Sequence, residues 1–207
     1  AEGHALMEEL VDRRFRGEVP DVLLLLEHAP VITVGRARGA PEHVLAPGDI
    51  PVVRTDRGGQ VTYHGPGQTV VYLMLDVQRL ALGARAVVSA IEDSVVDYLR
   101  DRGLDAASRA DAPGVYVGGA KIASLGLRIR RAGSYHGLAL NRDADPAPWR
   151  RINPCGHAGQ PMTSLAGEGL DADRERVEQD LVTILSRRLG LTPRTAPAPS
   201  WYTPPQS

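Results

Sequence analysis

The sequence predicts a single α+β domain with a mixed, largely antiparallel sheet flanked by helices. Strand-like and helix-like stretches are mixed along the chain, and short turns rather than helices connect many of the strands. The 207 residues, 43% of them hydrophobic, are enough for one unit with its own core. We expect this domain over residues 1–191 and a proline-rich, disordered tail over residues 192–207.

Apolar residues at helical spacing predict three helices. These cover residues 3–15, 86–100 and 174–189. The second is the clearest, because its apolar residues recur every three or four positions on one face. The residues on that face are Val88, Ile91, Val95 and Leu99.

Short apolar or alternating runs predict the strands. They cover residues 22–26, 31–34, 69–75, 115–117, 122–130 and 135–140, with a further strand starting at Val52. We expect the first two to be adjacent strands joined by the turn at residues 28–30. The last three predict an antiparallel meander with turns at Gly118-Gly119 and Ala132-Gly133.

Charge and hydropathy argue against two classes of partner. The formal net charge is −1, so the total gives no reason to expect nucleic acid or an anionic membrane surface as a partner. The longest apolar run, residues 22–26, is far shorter than the roughly 20 residues that span a bilayer. We expect a cytoplasmic protein, and a lone cysteine agrees with a reducing compartment.

Lys121 is the only lysine among 24 basic residues. An arginine supplies positive charge equally well, but it cannot release its proton, whereas a buried lysine can. The pattern therefore favours a chemical task for Lys121, although a single surface lysine could also survive by chance.

Cys155 is the single cysteine and lies in a coil rich in Pro and Gly. Free cysteines are often small buried hydrophobes. Pro154 and Gly156, however, disfavour a core strand or helix here, so a nucleophile in a fixed loop fits better. Its activator is Lys121 or a histidine, the commoner partner of cysteine in general. The histidine candidates are His64, His136 and His157.

Several site signatures are absent. The sequence has no phosphate-binding loop, no nucleophile elbow and no His-Glu-x-x-His motif. Cys155 with His157 is too sparse for a structural zinc site, and we expect no metal. The glycine-rich residues 57–68 predict a loop between two strands, either an ordinary hairpin loop or a backbone nest that approaches a ligand closely.

Five ordered motifs resemble the lipoyl(octanoyl) transferase family, and the arginine-rich composition is like that of an actinobacterial-type member. The motifs are Arg57-Gly58-Gly59-x-x-Thr62-x-His64-Gly65-Pro66-Gly67-Gln68, Gly119-x-Lys121-Ile122-Ala123-Ser124-Leu125-Gly126, His136-Gly137-Leu138-Ala139-Leu140-Asn141, Pro154-Cys155-Gly156 and Thr163-Ser164-Leu165. Their order and spacing agree from about residue 24 to residue 165.

The resemblance implies a fold, an activity and site residues. The fold is that of the catalytic domains of biotin and lipoate protein ligases. The activity moves octanoate from acyl carrier protein to a lysine of lipoyl domains, in 2-oxoacid dehydrogenase E2 subunits and the glycine cleavage H protein, without a cofactor. By motif, Cys155 is the acyl-thioester nucleophile and Lys121 favours its thiolate. The implied substrate-binding residues are Arg57, Gly58, Gly59, Gln60, Val61, Thr62, Tyr63, His64, Ser124, Leu125, Gly126, Gly137, Leu138 and Ala139.

Two other functions compete with this expectation. An ATP-dependent lipoate or biotin ligase of the same fold would need no nucleophilic cysteine, and a non-catalytic carrier-binding module would keep only the pocket. For the transferase we expect a monomer and an acidic carrier docked on arginines between Lys121 and Cys155. The candidates are Arg128, Arg130, Arg131, Arg142, Arg150 and Arg151.

Overall fold

Nine strands and three α-helices are present in the computed structural model, which describes residues 2–131 and 133–197. The helices are α1 (Glu2–Phe15), α2 (Ala84–Arg100) and α3 (Arg174–Arg188). The strands are β1 (Val22–Leu26), β2 (Val31–Val34), β3 (Val52–Arg54), β4 (Val61–His64), β5 (Gln68–Met74), β6 (Ala106–Ser108), β7 (Gly114–Val117), β8 (Ala120–Arg130) and β9 (Gly133–Asn141). Short 3₁₀ turns cover Ala40–His43, Ala147–Arg151 and Pro154–Gly156.

The larger sheet has six antiparallel strands in the order β1-β5-β9-β8-β7-β6. Strands β7, β8 and β9 are consecutive neighbours, which confirms the predicted meander. Gly118 and Gly119 form the first turn, and both have the positive φ that such tight turns require. Of the second predicted turn, Gly133 is the first residue of β9, and Ala132 lies outside the described residues.

Strand β5 shows how the larger sheet is covered on both faces. Val71 and Leu73 pack in the cluster that α2 and α3 share with the sheet, whereas Val70 and Tyr72 pack against α1. Side chains alternate between the two faces of a strand, so every residue of β5 is buried on one side or the other. The three helices predicted from apolar spacing are present, with ends that differ by one or two residues.

The smaller sheet corrects two expectations. Its order is β3-β2-β4, with β2 parallel to β3 and antiparallel to β4. Strand β1 pairs with β5 of the larger sheet, so β1 and β2 are not neighbours, and residues 28–30 carry the chain from one sheet to the other. Strand β4 lies inside the predicted glycine-rich loop, because residues 61–64 find a partner in β2.

The chain after α3 has no regular secondary structure over residues 192–197. The rest of the expected tail, including Trp201 and Tyr202, lies outside the described residues, so its disorder stays a prediction. Among residues 2–131 and 133–197, none of the helices has the length and apolar composition of a membrane-spanning segment.

Candidate active site

Lys121 is the second residue of β8 and is fully buried. Its backbone is fixed on the side opposite β7, because its N–H donates to the carbonyl of Pro161 over 2.8 Å and its carbonyl accepts from the N–H of Thr163 over 3.0 Å. These bonds tie the segment that follows the cysteine loop to the larger sheet. A long, flexible side chain thus begins from a rigid position.

The Lys121 amine contacts the thiol. Its Nζ lies 2.8 Å from Cys155 Sγ and 2.8 Å from the carbonyl oxygen of Pro113, and the ring centre of Tyr116 is 5.3 Å away. Gly114 makes room for the amine, since a Cβ built there would lie 2.3 Å from Lys121 Cε. The structure therefore brings together the two residues that the sequence singled out.

Cys155 lies in the 3₁₀ turn Pro154–Gly156 with a left-handed backbone, at φ 55° and ψ 21°. Such a conformation is uncommon for a residue other than glycine and is often found at functional sites. The turn is closed by the N–H of Gly156, which donates to Asn153 over 3.0 Å, and by the N–H of His157, which donates to Pro154 over 3.1 Å. The thiol is half-buried and faces a cavity.

The cavity has a volume of about 900 Å³ and lies between the smaller sheet and strands β8 and β9, reaching His4 of α1 and Val88 of α2. Most of the predicted substrate-binding residues line this cavity together with the thiol. The predicted residues that line it are Arg57, Gly58, Gly59, Gln60, Val61, Thr62, His64, Ser124, Leu125, Gly126, Gly137, Leu138 and Ala139.

Tyr63 is the predicted substrate-binding residue that the structure places away from the cavity. Its ring packs edge-on against Trp149 with ring centres 5.2 Å apart, in the core of the smaller sheet. Side chains alternate along β4, so Thr62 and His64 face the cavity and Tyr63 faces the other way. The motif spacing contained this information, but reading it required knowing that residues 61–64 form a strand.

Arg57 brings a buried positive charge to the cavity wall. It donates from Nη2 to the carbonyl of Thr33 over 2.8 Å and from Nη1 to the carbonyl of Gly58 over 2.9 Å. Among the described residues no carboxylate pairs with it, and burial lowers its pKa to about 10. A cation without a carboxylate partner is suited to an anionic or carbonyl group in the cavity.

The candidate histidine bases are engaged elsewhere. His64 Nδ1 lies 3.2 Å from Gln68 Oε1, and His136 Nε2 lies 2.7 Å from Asp56 Oδ1. Burial lowers the pKa of His64 to about 3 and that of His136 to about 4, so both rings are neutral at pH 7. His157 is exposed. Within the described structure, Lys121 is the side chain in hydrogen-bond contact with the sulfur.

One group of side chains at the cavity has the donor set of a metal site. Ligand atoms of His4, Asp56 and His136 lie within 4.8 Å of one another. The Asp56 carboxylate already accepts from the Tyr135 hydroxyl, and its other oxygen contacts His136. These hydrogen bonds engage Asp56 and His136, whereas His4 Nε2 is buried without a hydrogen-bond partner in the described residues, so the expectation of no metal stays a prediction. The sequence could not reveal this cluster, because its members come from three distant segments.

The six candidate docking arginines do not form one surface. Arg142 is buried, and its guanidinium binds Glu27 over 2.7 Å and the carbonyl of Ala172 over 2.9 Å, so it is a structural residue. Arg151 pairs with Asp49 over 2.9 Å. Arg128 and Arg130 lie at the end of β8 distant from Lys121, and Arg131 follows directly after the strand. Arg150 is an exposed residue of the 3₁₀ turn Ala147–Arg151.

The sequence missed the groups that hold Lys121 in place. Pro113 accepts from the amine, Gly114 leaves it space, and Glu92 of α2 accepts from the Gly114 N–H over 2.8 Å. A proline followed by a glycine at the start of a strand was the available signal for the first two.

Fold and site together define a catalytic domain of the lipoyl ligase type. A family model described as the lipoyl protein ligase A/B catalytic domain matches residues 1–186, and the chain belongs to this family. Among its members, the chain is 63% identical to the octanoyltransferase of Alcanivorax borkumensis, over 95% of this chain and 79% of that one. It is 57% identical to the octanoyltransferase of Chromohalobacter salexigens, over 93% and 88%. The motifs had predicted this family.

Solved structures show the same fold at low identity. A putative lipoate protein ligase from T. acidophilum with bound lipoic acid superposes with a TM-score of 0.70 at 17% identity, covering 97% of this chain and 87% of that one. Lipoate-protein ligase A bound with ATP gives 0.67 at 15%, covering 96% and 86%. The predicted lipoate protein ligase fold is therefore confirmed.

Proposed function

We propose that the chain transfers an octanoyl group from acyl carrier protein to a lysine of lipoyl domains through a thioester on Cys155. The single observation that carries the proposal is the 2.8 Å contact between the buried Lys121 amine and the Cys155 thiol at the wall of the cavity. The octanoyltransferase relatives support octanoate as the acyl group. The contact supports Cys155 as the nucleophile and Lys121 as its base.

In the first half-reaction, Lys121 takes the proton of Cys155 and the thiolate attacks the carbonyl carbon of the carrier thioester. A new carbon–sulfur bond forms to Cys155 and the bond to the carrier sulfur breaks. The carrier leaves as a thiol after taking the proton from the Lys121 ammonium. Atoms and charge balance without a cofactor.

In the second half-reaction, the amine of the acceptor lysine attacks the thioester on Cys155. The amide forms, the bond to Cys155 Sγ breaks, and the proton lost by the amine returns to Cys155 through Lys121. This order lets two large proteins use the same site in turn. A direct transfer between them would require both to be bound at once.

Arg57 and the cavity contribute binding and electrostatics. The guanidinium has no carboxylate partner in the described part of the chain, so its charge favours the thiolate and the negative charge that develops on the carbonyl oxygen. Leu125, Leu127 and Leu138 give the cavity apolar surface for the acyl tail.

The mass of the intact protein separates this function from its rivals. After incubation with octanoyl carrier protein and no ATP, we expect one octanoyl adduct on the wild type and none on Cys155→Ala. An ATP-dependent ligase would form no adduct under these conditions. A binding module would form none either, and its affinity for the carrier would survive Cys155→Ser.

The substitution Lys121→Arg tests the base, because it keeps the charge and removes the exchangeable proton. We expect a loss of at least roughly a hundredfold in single-turnover acylation of Cys155, the lower end of general acid–base effects. The side chain is fully buried, so thermal melting must accompany the kinetics. A folded variant within about threefold of the wild type would contradict proton transfer by Lys121 and leave it an electrostatic role.

A further inference from the structure

A continuous chain of hydrogen bonds joins a carboxylate on α2 to the thiol. Glu92 Oε1 accepts from the N–H of Gly114 over 2.8 Å. The carbonyl of the same peptide group, that of Pro113, accepts from Lys121 Nζ over 2.8 Å, and Nζ lies 2.8 Å from Cys155 Sγ. The Pro113–Gly114 peptide is thus held at both ends, by an acid and by an amine.

We propose that Glu92 is a positioning residue that acts on Lys121 through the Pro113–Gly114 peptide group. A peptide whose N–H donates to a carboxylate becomes a stronger acceptor at its carbonyl, since hydrogen bonds in series polarise one another. The carbonyl of Pro113 is therefore a better partner for an ammonium than for a neutral amine. This role rests on the function proposed above.

The environment of Glu92 is unusual for a helix carboxylate. It is 9% exposed and lies on the face of α2 that carries Ile91 and Val95 into the core. Burial raises its pKa, the Gly114 N–H and the Lys121 charge oppose that effect, and Asp93 adds to it. In the described residues Glu92 has no arginine partner. A buried carboxylate without an ion pair costs free energy, so the position of Glu92 favours a functional role.

Gly114 allows the Lys121 side chain to lie against the Pro113–Gly114 peptide group. Its φ of 145° is unfavourable for other residues, and a Cβ there would lie 2.9 Å from Lys121 Nζ as well as 2.3 Å from Cε. The lysine side chain therefore packs directly on the peptide group that accepts its hydrogen bond. Rotation of that peptide would break the contacts to both Glu92 and Lys121.

In this series of hydrogen bonds, the carboxylate of Glu92 comes closer to Lys121 Nζ than to Cys155 Sγ. It consequently stabilises the state with an ammonium and a thiolate relative to the state with an amine and a thiol. Among the described residues, other charged or titratable groups near the pair include Tyr116, whose ring lies 5.3 Å from Nζ, Arg57, whose charge interacts with Cys155, and Asp111, which lines the same cavity as Cys155. The hydrogen bonds of these three residues do not involve the Pro113–Gly114 peptide group.

The test measures the rate of Cys155 alkylation by iodoacetamide from pH 5 to pH 11, followed by intact mass. Glu92→Gln keeps the size and the acceptor oxygen but loses the charge. We expect about a tenfold lower rate near pH 7, the order of the difference between a charge-assisted and a neutral hydrogen bond, and recovery to the wild-type rate at high pH, where both groups are deprotonated. In single-turnover acylation the rate constant should fall while the KM for octanoyl carrier protein stays unchanged.

Asp93→Asn is the matched control, because it removes the same charge from the neighbouring, half-exposed position of α2. Its profile should match the wild type. A Glu92→Gln profile equal to that control, or lowered by one factor at every pH, would overturn the proposal, since a merely structural role would give the uniform loss. If Glu92→Gln melts below the assay temperature, Glu92→Asp decides instead, with a smaller loss confined to neutral pH as the expected result.

The alkylation readout needs no octanoyl donor. If the octanoyl adduct fails to form but alkylation still depends on Glu92, the proposed function is contradicted and the positioning role of Glu92 is supported. If the adduct forms and alkylation is independent of Glu92, the proposed function is supported and the positioning role is contradicted.

Discussion

At the scale of single residues, a methyl group on Gly114 is enough to displace the Lys121 amine. Gly114→Ala places a Cβ 2.3 Å from Cε at a φ of 145°, so we expect at least a tenfold loss of Cys155 acylation, from misplaced reacting groups. Gly118→Ala is the control, because it has a positive φ in the same hairpin but no atom within 4 Å of the new Cβ. Both variants should have a lower melting temperature than the wild type, and only Gly114→Ala should lose activity. Equal activities would show that Lys121 tolerates the methyl group.

The residues that sequence reasoning found and missed differ in a physical way. Lys121 and Cys155 stood out because each is the only one of its kind in the chain. Glu92 did not stand out, since a glutamate on an amphipathic helix usually faces water, and only the tertiary contact with Gly114 shows otherwise. A side chain that acts through a backbone peptide leaves no motif.

At the scale of elements, strand β8 carries the Lys121 amine near one end and a candidate carrier-docking arginine at the other. Lys121 lies near its start and Arg130 at its end, about 30 Å apart at 3.3 Å per residue. Between them, Ser124, Leu125, Gly126, Leu127 and Ile129 contribute to the cavity wall. An acidic carrier attracted to the arginine end would thus meet the cavity rather than the thiol first.

We expect the double substitution Arg130→Glu with Arg131→Glu to raise the KM for octanoyl carrier protein several-fold at low salt and to flatten its salt dependence, because steering is screened within about 8–10 Å. Arg187→Glu with Arg194→Glu is the control, since α3 and the residues after it contribute nothing to the cavity wall among the described residues. An unchanged KM and salt dependence in the first pair would contradict carrier docking at this end of β8.

Element prediction succeeded where the apolar pattern was clear and failed within glycine-rich sequence. Helix α2 keeps one apolar face over 17 residues and strand β5 is a β-branched and apolar run, and both were predicted. Strand β4 has four residues within a glycine-rich stretch, so a loop was the natural prediction, and the orientation of Tyr63 was lost with it. The pairing of β1 and β2 was wrong because short apolar runs do not specify their partners.

At the scale of the whole molecule, the cavity histidines couple folding to pH. Burial lowers the pKa of His28 and His136 to about 4 and of His64 to about 3, below the ordinary value of about 6.5 in the unfolded chain. Between these values the unfolded chain binds more protons. The free energy of unfolding therefore falls as pH drops from about 6.5 towards 4.

Urea unfolding at pH 7.5 and pH 5 checks this coupling. The wild type should lose stability at the lower pH, and His136→Asn should lose about 2 kcal/mol less, because it removes one of the three depressed groups. Asparagine tolerates the left-handed backbone of this position, where φ is 58°. Equal losses in both proteins would show that His136 titrates normally in the folded state.

A thiol held ready for attack in a half-open turn is also exposed to oxidants. Peroxides convert thiolates to sulfenic acid, which a second cysteine nearby can rescue as a disulfide. These 207 residues contain no second cysteine, so a sulfenate on Cys155 has no partner in this chain and can proceed to the irreversible sulfinate. The acylated form of such an enzyme is its protected form, and a supply of acyl donor shields the protein as well as serving as its substrate.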